Sequence, residues 1–151
     1  MNFTAFERFA TLPGVRWGTP GVPTPEEQNS EYESGAVRLG DAQWRIRTAR
    51  ITPTKPGAFV AVWQRNPTGA TEPFGADDPA AGLLVFVVDE ERFGVFKFTT
   101  AELCELGVSR SAVHPGKRGF RVYPAWSTGL NRAAARTQAA QAAAFHDLGG
   151  N

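Results

Sequence analysis

Cysteine occurs once in the 151 residues, at Cys104. No disulfide within the chain, no Cys-based zinc site and no CxxC redox pair can be built from it. Its place in the segment TTAELCELG suits a small buried hydrophobe better than a nucleophile. Histidine occurs twice, at His114 and His146, and neither has a second ligand at metal spacing. His146 reads as a residue compensating a helix C-terminus, and His114 as a loop residue. There is no GxGxxG, Walker loop, HExxH, GxSxG or EF-hand pattern. The longest strongly apolar run, AAGLLVFVV, is far short of the roughly 20 residues that cross a bilayer, so no membrane partner is expected. The opening MNFTAFERFA has no basic segment leading into an apolar run. No signal peptide is expected there, and a cytoplasmic location follows as an expectation. Internal repeats and low-complexity tracts are absent as well.

Acid is missing from two long stretches. Between Asp41 and Glu72 stand Arg45, Arg47, Arg50, Lys55 and Arg65 with no carboxylate. Between Glu105 and Asp147 stand Arg110, Lys117, Arg118, Arg121, Arg132 and Arg136, again with none. Acids gather instead at Glu26 to Glu33 and at Asp89 to Glu91. With 16 basic against 15 acidic residues the net charge says nothing about partners, but the segregation does. If the two basic stretches meet in space, a nearly neutral protein carries one positive face.

The hydrophobic pattern predicts a single domain over 1–151, with an N-terminal helix and Pro/Gly-rich tether over 1–24 and a core over 25–148. Phe3, Phe6, Phe9 and Ala10 share one face of a helix that Pro13-Gly14 ends. Thr24-Pro25-Glu26-Glu27 reads as an N-cap, a first-turn proline and first-turn acids, hence a short helix to about Tyr32. Strands are expected over Ala36 to Leu39 and Gln43 to Thr52, joined at Gly40-Asp41. In the second of these, Trp44, Ile46, Thr48 and Arg50 point one way and Arg45, Arg47, Ala49 and Ile51 the other. Ala58 to Gln64 reads as a central strand, and Asn66 to Ala80 as a long loop. Strands over Leu83 to Val88 and Phe93 to Phe98 follow. A helix capped at Thr99 or Thr100 runs to Leu106, and a strand covers Phe120 to Tyr123. A closing helix is expected from about Leu130 to Leu148. The sum is α+β: a mixed, mostly antiparallel sheet of about five or six strands with flanking helices.

Three runs, RTARITPTKPGAFVAVWQR, GKRGFRVYPAW and TQAAQAAAF, together resemble the MepB-like family of small bacterial proteins. The resemblance covers roughly Glu26 to Phe145. It implies a restriction-endonuclease-like, PD-(D/E)xK fold, an association with a multidrug-efflux operon, and DNA binding. Nucleases of that fold hold Mg²⁺ with two acids and orient water with a lysine that follows an acid by two residues. Here Pro53 stands two before Lys55 and Val95 two before Lys97, so the signature is incomplete. Arg50 stands where the family commonly has lysine.

Three readings stay open on the sequence. In the first, DNA or another polyanion is bound on phosphate contacts from Arg47, Arg50, Lys55, Arg65, Lys117, Arg118 and Arg121. Bases would stack on Trp63, Tyr123 or Trp126, and Gln138 and Gln141 would be supporting polar residues that either hydrogen-bond a strand or, the favoured role, hold the closing helix to the sheet. In the second, a Mg²⁺-dependent nuclease uses Lys55 or Lys97 with Glu31, Glu33 or Asp89; Mg²⁺ is expected only in that case, no cofactor being otherwise evident and no metal ligand set assigned. In the third, an anionic small molecule sits in an aromatic pocket of Trp63, Tyr123 and Trp126. Oligomeric state is open at this level.

Overall fold

The computed structural model describes residues 2–13 and 17–149. In chain order the elements are α1 (Thr4–Ala10), β1 (Thr24–Pro25), a 3₁₀ turn (Ser30–Tyr32), β2 (Gly35–Leu39), β3 (Ala42–Thr48), β4 (Arg50–Ile51), β5 (Ala58–Ala61), β6 (Trp63–Arg65) and β7 (Thr71–Pro73). Then follow β8 (Gly82–Asp89), β9 (Arg92–Thr99), α2 (Thr100–Glu105), β10 (Gly119–Val122), α3 (Arg132–Gln141), a second 3₁₀ turn (Ala142–Ala144) and β11 (Phe145–Asp147).

The main sheet has six strands in the order β1-β2-β3-β8-β9-β11. All its pairings are antiparallel except β3 with β8, which run parallel. A second sheet, β10-β5-β4, lies over one face of it, and β6-β7 form a separate hairpin. The fold is therefore α+β with a mixed sheet. Among the described residues no helix is long and apolar enough to cross a membrane.

Each face of the main sheet buries its own core. The helix face collects Phe3, Phe6 and Phe9 of the α1 segment against Val37, Leu39, Trp44, Ile46, Leu84, Phe86 and Val95. Phe9 and Phe86 bring their ring centroids within 5.5 Å. Gly35 is needed here because a Cβ would stand 2.6 Å from the Phe3 ring. The opposite face packs Leu83, Val85, Val87, Phe96 and Phe98 against Val60, Val62, Phe120 and Val122 of the second layer. β8 is covered on both sides, which explains its unbroken apolar run.

Several expected elements change. The strand expected over Gln43 to Thr52 is two strands in two sheets. Ala49 N–H still donates to Phe86 O at 2.9 Å, and the chain then leaves the main sheet to pair Arg50 with Phe59 in the second. The helix expected from Pro25 is absent. Thr24 and Pro25 instead pair with Ala36 and Gly35, and only Ser30–Tyr32 turns helically. The long loop contains β7, paired with β6 across a turn that Asn66 Oδ1 organises by accepting from Thr68 and Ala70. The last helix stops at Gln141. Phe145–Asp147 becomes the edge strand beside β9, because that edge offers unpaired backbone groups and an apolar seat against Phe96. The expected Pro13-Gly14 helix stop lies partly outside the described residues.

Candidate functional site

The face that β3 turns toward the second sheet carries two arginines, and period-2 alternation puts both there. Arg47 is 1% exposed. Its guanidinium donates to Ala61 O at 3.2 Å, to Ile46 O at 2.9 Å, to Asn29 Oδ1 at 3.2 Å and to the Glu26 carboxylate. Arg45 forms a fork on Asp78, with Nε and Nη2 donating at 2.9 and 2.7 Å, and also pairs with Glu26. One face of its guanidinium lies 4.1 Å from the centroid of the Phe74 ring. Glu26 thus bridges both arginines, and Asp78 completes a node of two cations and two anions.

Burial, the largest influence on each, lowers both arginine pKa values. The Asp78 hydrogen bond and the charges of Glu26 and Asp78 more than offset it at Arg45, whose pKa ends above its ordinary value. At Arg47 the burial effect prevails over Glu26, and neighbouring Arg45 adds to it, so the pKa ends below. Asn29 sits in the left-handed region at φ 62° and also accepts from Trp63 N–H at 3.3 Å, while its Nδ2 is buried without a partner. The node ties the segment after β1, the strand β3 and the loop after β7 into one knot.

This corrects the expectation that Arg47 contacts phosphate. Its side chain is sealed under the second sheet and saturated with acceptors. Three of its neighbours in the knot, Glu26, Asn29 and Asp78, were not singled out from sequence as its partners. The signal was present: two arginines on the core-facing side of a strand require acids from elsewhere.

A separate groove lies between β10, α2 and α3. It encloses about 590 Å³ and is walled by Lys117, Arg121 and Tyr123 on one side and by Arg136, Thr137, Ala140 and Gln141 of α3 on the other. Leu106, Val108, Phe120 and Ala133 make its apolar lining, and Glu105 is its one carboxylate. A smaller compartment of about 350 Å³ adds Lys55, Pro56, Asn131 and Ala134. Arg121, Tyr123, Ala133 and Thr137 line both. The Lys55 turn and Lys117 therefore border one continuous depression. Among the described residues, no ion pair involves Lys55, Lys117, Arg121 or Arg136.

α3 is held in place by its glutamines. Gln141, buried, donates to Arg121 O at 2.9 Å and accepts from Tyr123 N–H at 3.0 Å. Its amide thereby serves the outer edge of β10 as a neighbouring strand would. Gln138 donates to Pro124 O at 2.9 Å and Ser127 O at 3.3 Å. Asn131 caps the helix start on Ala134 N–H at 2.8 Å. Arg121 reaches across to Pro56 O at 3.2 Å and Thr52 Oγ1 at 2.9 Å, fixing the turn that displays Lys55.

The remaining sequence candidates disperse. Arg118 turns to β7, donating to Thr71 O and Oγ1 at 2.9 and 3.0 Å. Arg65 lies 5.3 Å from the Trp63 ring centroid and donates to Gly69 O at 3.0 Å. Arg50 is exposed on the short edge strand β4. Trp126 packs edge-on against Phe145 at 5.4 Å and borders a different groove with Asp89, Glu90 and Glu91. Trp63, Tyr123 and Trp126 therefore form no common pocket, which removes the basis for the aromatic small-molecule site.

The acids of the nuclease reading scatter as well. Glu33 accepts from Thr4 Oγ1 at 2.7 Å, Ala5 N–H at 3.5 Å and Thr48 Oγ1 at 3.0 Å, so its carboxylate pins α1 to the sheet. Glu31 is exposed on the 3₁₀ turn. Lys97 sits between two indoles, 4.9 Å from the Trp44 centroid and 5.3 Å from that of Trp17. His146 is in β11 rather than at a helix end, its ring 5.0 Å from Trp17. Among the described residues no three His, Cys, Asp or Glu side chains are grouped to hold a metal ion.

Comparison with known proteins agrees with this architecture. No curated protein matches the chain. A solved structure, the crystal structure of MepB, superposes with a TM-score of 0.84 and 30% sequence identity, covering 100% of both chains. The model of the MepB-like family matches residues 26–147, from the acid of the buried knot to the last edge strand. By that match and that likeness, the chain belongs to the MepB-like family.

Proposed function

We propose that the protein binds a phosphate-bearing polymer, DNA in the first instance, along the groove between β10 and α3. One observation carries the reading: Lys55, Lys117 and Arg136, drawn from distant parts of the chain, border one depression whose two compartments meet at Arg121 and hold a single carboxylate. Guanidinium forks suit phosphate oxygens, and lysines add point charge. Glu105 at the α2 end would set the limit of the anion's path. On this reading the core is an endonuclease-like scaffold used for binding. Glu33 is committed to α1, and the compartment that Lys55 borders contains no carboxylate.

The test is a binding titration with labelled DNA at two salt concentrations. Affinity falls steeply with salt, because each neutralised phosphate releases counterions. Replacing Lys117 and Arg136 together with alanine weakens binding alike for all sequences and lowers the log–log salt slope by about 1 per residue removed. Binding that ignores salt, or is unchanged in the double variant, refutes the proposal.

A further inference from the structure

We infer that the groove takes single-stranded rather than duplex nucleic acid, with Tyr123 as the platform on which a base stacks; this rests on the reading above. Three features of the groove carry it. The first is its lining. Leu106, Val108 and Phe120, buried or half-buried, and the exposed Ala133 give the depression apolar surface among its cationic residues. The outer surface of a duplex is phosphate and sugar, with its bases paired inside. Such a surface offers sugar and base edges to carbon, but no base face, because every face is already stacked on its neighbours in the duplex. An unpaired base has two apolar faces and can turn inward while its phosphates stay on the rim.

The second is the state of the aromatic residues. Of the three that sequence offers as stacking surfaces, Trp63 faces Arg65 and Trp126 is used by Phe145 and Arg92. Tyr123 enters no ring pair or cation–π contact among the described residues, and it borders both compartments.

The third is how that ring is held. Gly57 is at φ 78°, and a Cβ there would stand 2.7 Å from Tyr123 Cδ1 and 2.8 Å from Cε1. The bare backbone of Gly57 thus supports one edge of the ring. The Tyr123 amide is fixed by Gln141 at 3.0 Å. A half-buried aromatic with a locked backbone, an uncontested ring and cations on either side is what base stacking needs. The cations are Lys117 and Arg136 in one compartment and Lys55 in the other, so a strand laid past Tyr123 meets positive charge before and after the stacked base.

The experiment uses fluorescence anisotropy of the intact protein with three probes of about twelve nucleotides. They are labelled oligothymidylate, the same length as a duplex, and an abasic strand that keeps the phosphates. Oligothymidylate binds about tenfold more tightly than either of the others at equal salt. Tyr123→Leu removes that preference, and Tyr123→Phe keeps it. Equal affinity for duplex or abasic strand, in a protein whose binding still weakens on replacing Lys117 and Arg136, overturns this inference and leaves the polyanion reading standing. The comparison of oligothymidylate with the abasic strand decides the point without any variant. No binding of any probe at low salt overturns both.

Discussion

Two sets of basic residues in this molecule have opposite fates. Arg45 and Arg47 come from β3, the one half-buried beside Phe74 and the other sealed beneath the second sheet, and are neutralised by Glu26 and Asp78, which lie 19 and 33 residues from Arg45 in the chain. Lys55, Lys117 and Arg136 come from a turn, a loop and a helix face, are exposed, and have no carboxylate paired to them. The same kind of side chain is cement in one place and an open valence in the other. What separates them is desolvation. A guanidinium out of water must be matched by fixed acids, whereas one in water can wait for a diffusing anion.

The sharpest way to break the contrast is Glu26→Gln. It removes the anion shared by Arg45 and Arg47 and leaves Arg47 charged and buried. The expected cost is about 3–5 kcal/mol of folding stability, read as a lower denaturant midpoint. Adding Arg47→Met should recover part of that loss, because the unpaired charge goes with it while Arg45 keeps Asp78. A midpoint unmoved by Glu26→Gln would mean that the node is not holding the layers together.

Gln141→Leu should cost about 1–3 kcal/mol, since Arg121 O and Tyr123 N–H lose their partner at a buried position. Thermal unfolding gives the magnitude, and faster hydrogen exchange at the Tyr123 amide gives the location. Replacing Lys117 and Arg136 together with alanine should shift stability by less than about 0.5 kcal/mol, as surface substitutions do. The same change should lower DNA affinity about tenfold at low salt, measured by titration. Arg118→Ala, one residue from Lys117, should leave that affinity unchanged in the same titration, because its guanidinium serves Thr71 instead. Equal losses from the two neighbours would erase the distinction between rim and scaffold.

Much of this was legible residue by residue. The Gly40-Asp41 turn and the α1 face of Phe3, Phe6 and Phe9 follow from local pattern. So does a threonine cap for α2, left between Thr99 and Thr100 by the sequence and settled at Thr99 by its capping box with Glu102. The glutamines of α3 were readable as ties to the sheet because two amides sit one turn apart on a face otherwise made of alanine. What local pattern does not carry is which covered face meets which layer. Alternation puts Arg45 and Arg47 on one side of β3 but does not say whether that side meets solvent. Glu26 follows a proline in a plausible helix start, yet its strand is recruited by β2 and its carboxylate by β3. The alanine-rich tail reads as helix to its end, and only the unfilled edge of β9 turns its last residues into a strand. Lys55 and Lys117 share a groove through Arg121, a residue whose two tertiary bonds cannot be foreseen from its neighbours in sequence.

The amide of Gln141 has one more effect. A β-strand at the rim of a sheet is a template on which another chain can crystallise, and the second sheet is short enough to be vulnerable on both sides. On the β10 side a side chain already occupies two of the hydrogen-bonding positions that a newcomer would take, Arg121 O and Tyr123 N–H. On the other side β4 offers only Arg50 and Ile51, too little to template and marked with a charge. The layer that frames the groove thereby offers little free backbone for strand exchange between molecules. A protein present at high concentration can keep that groove open without inviting its own copies to stack against it.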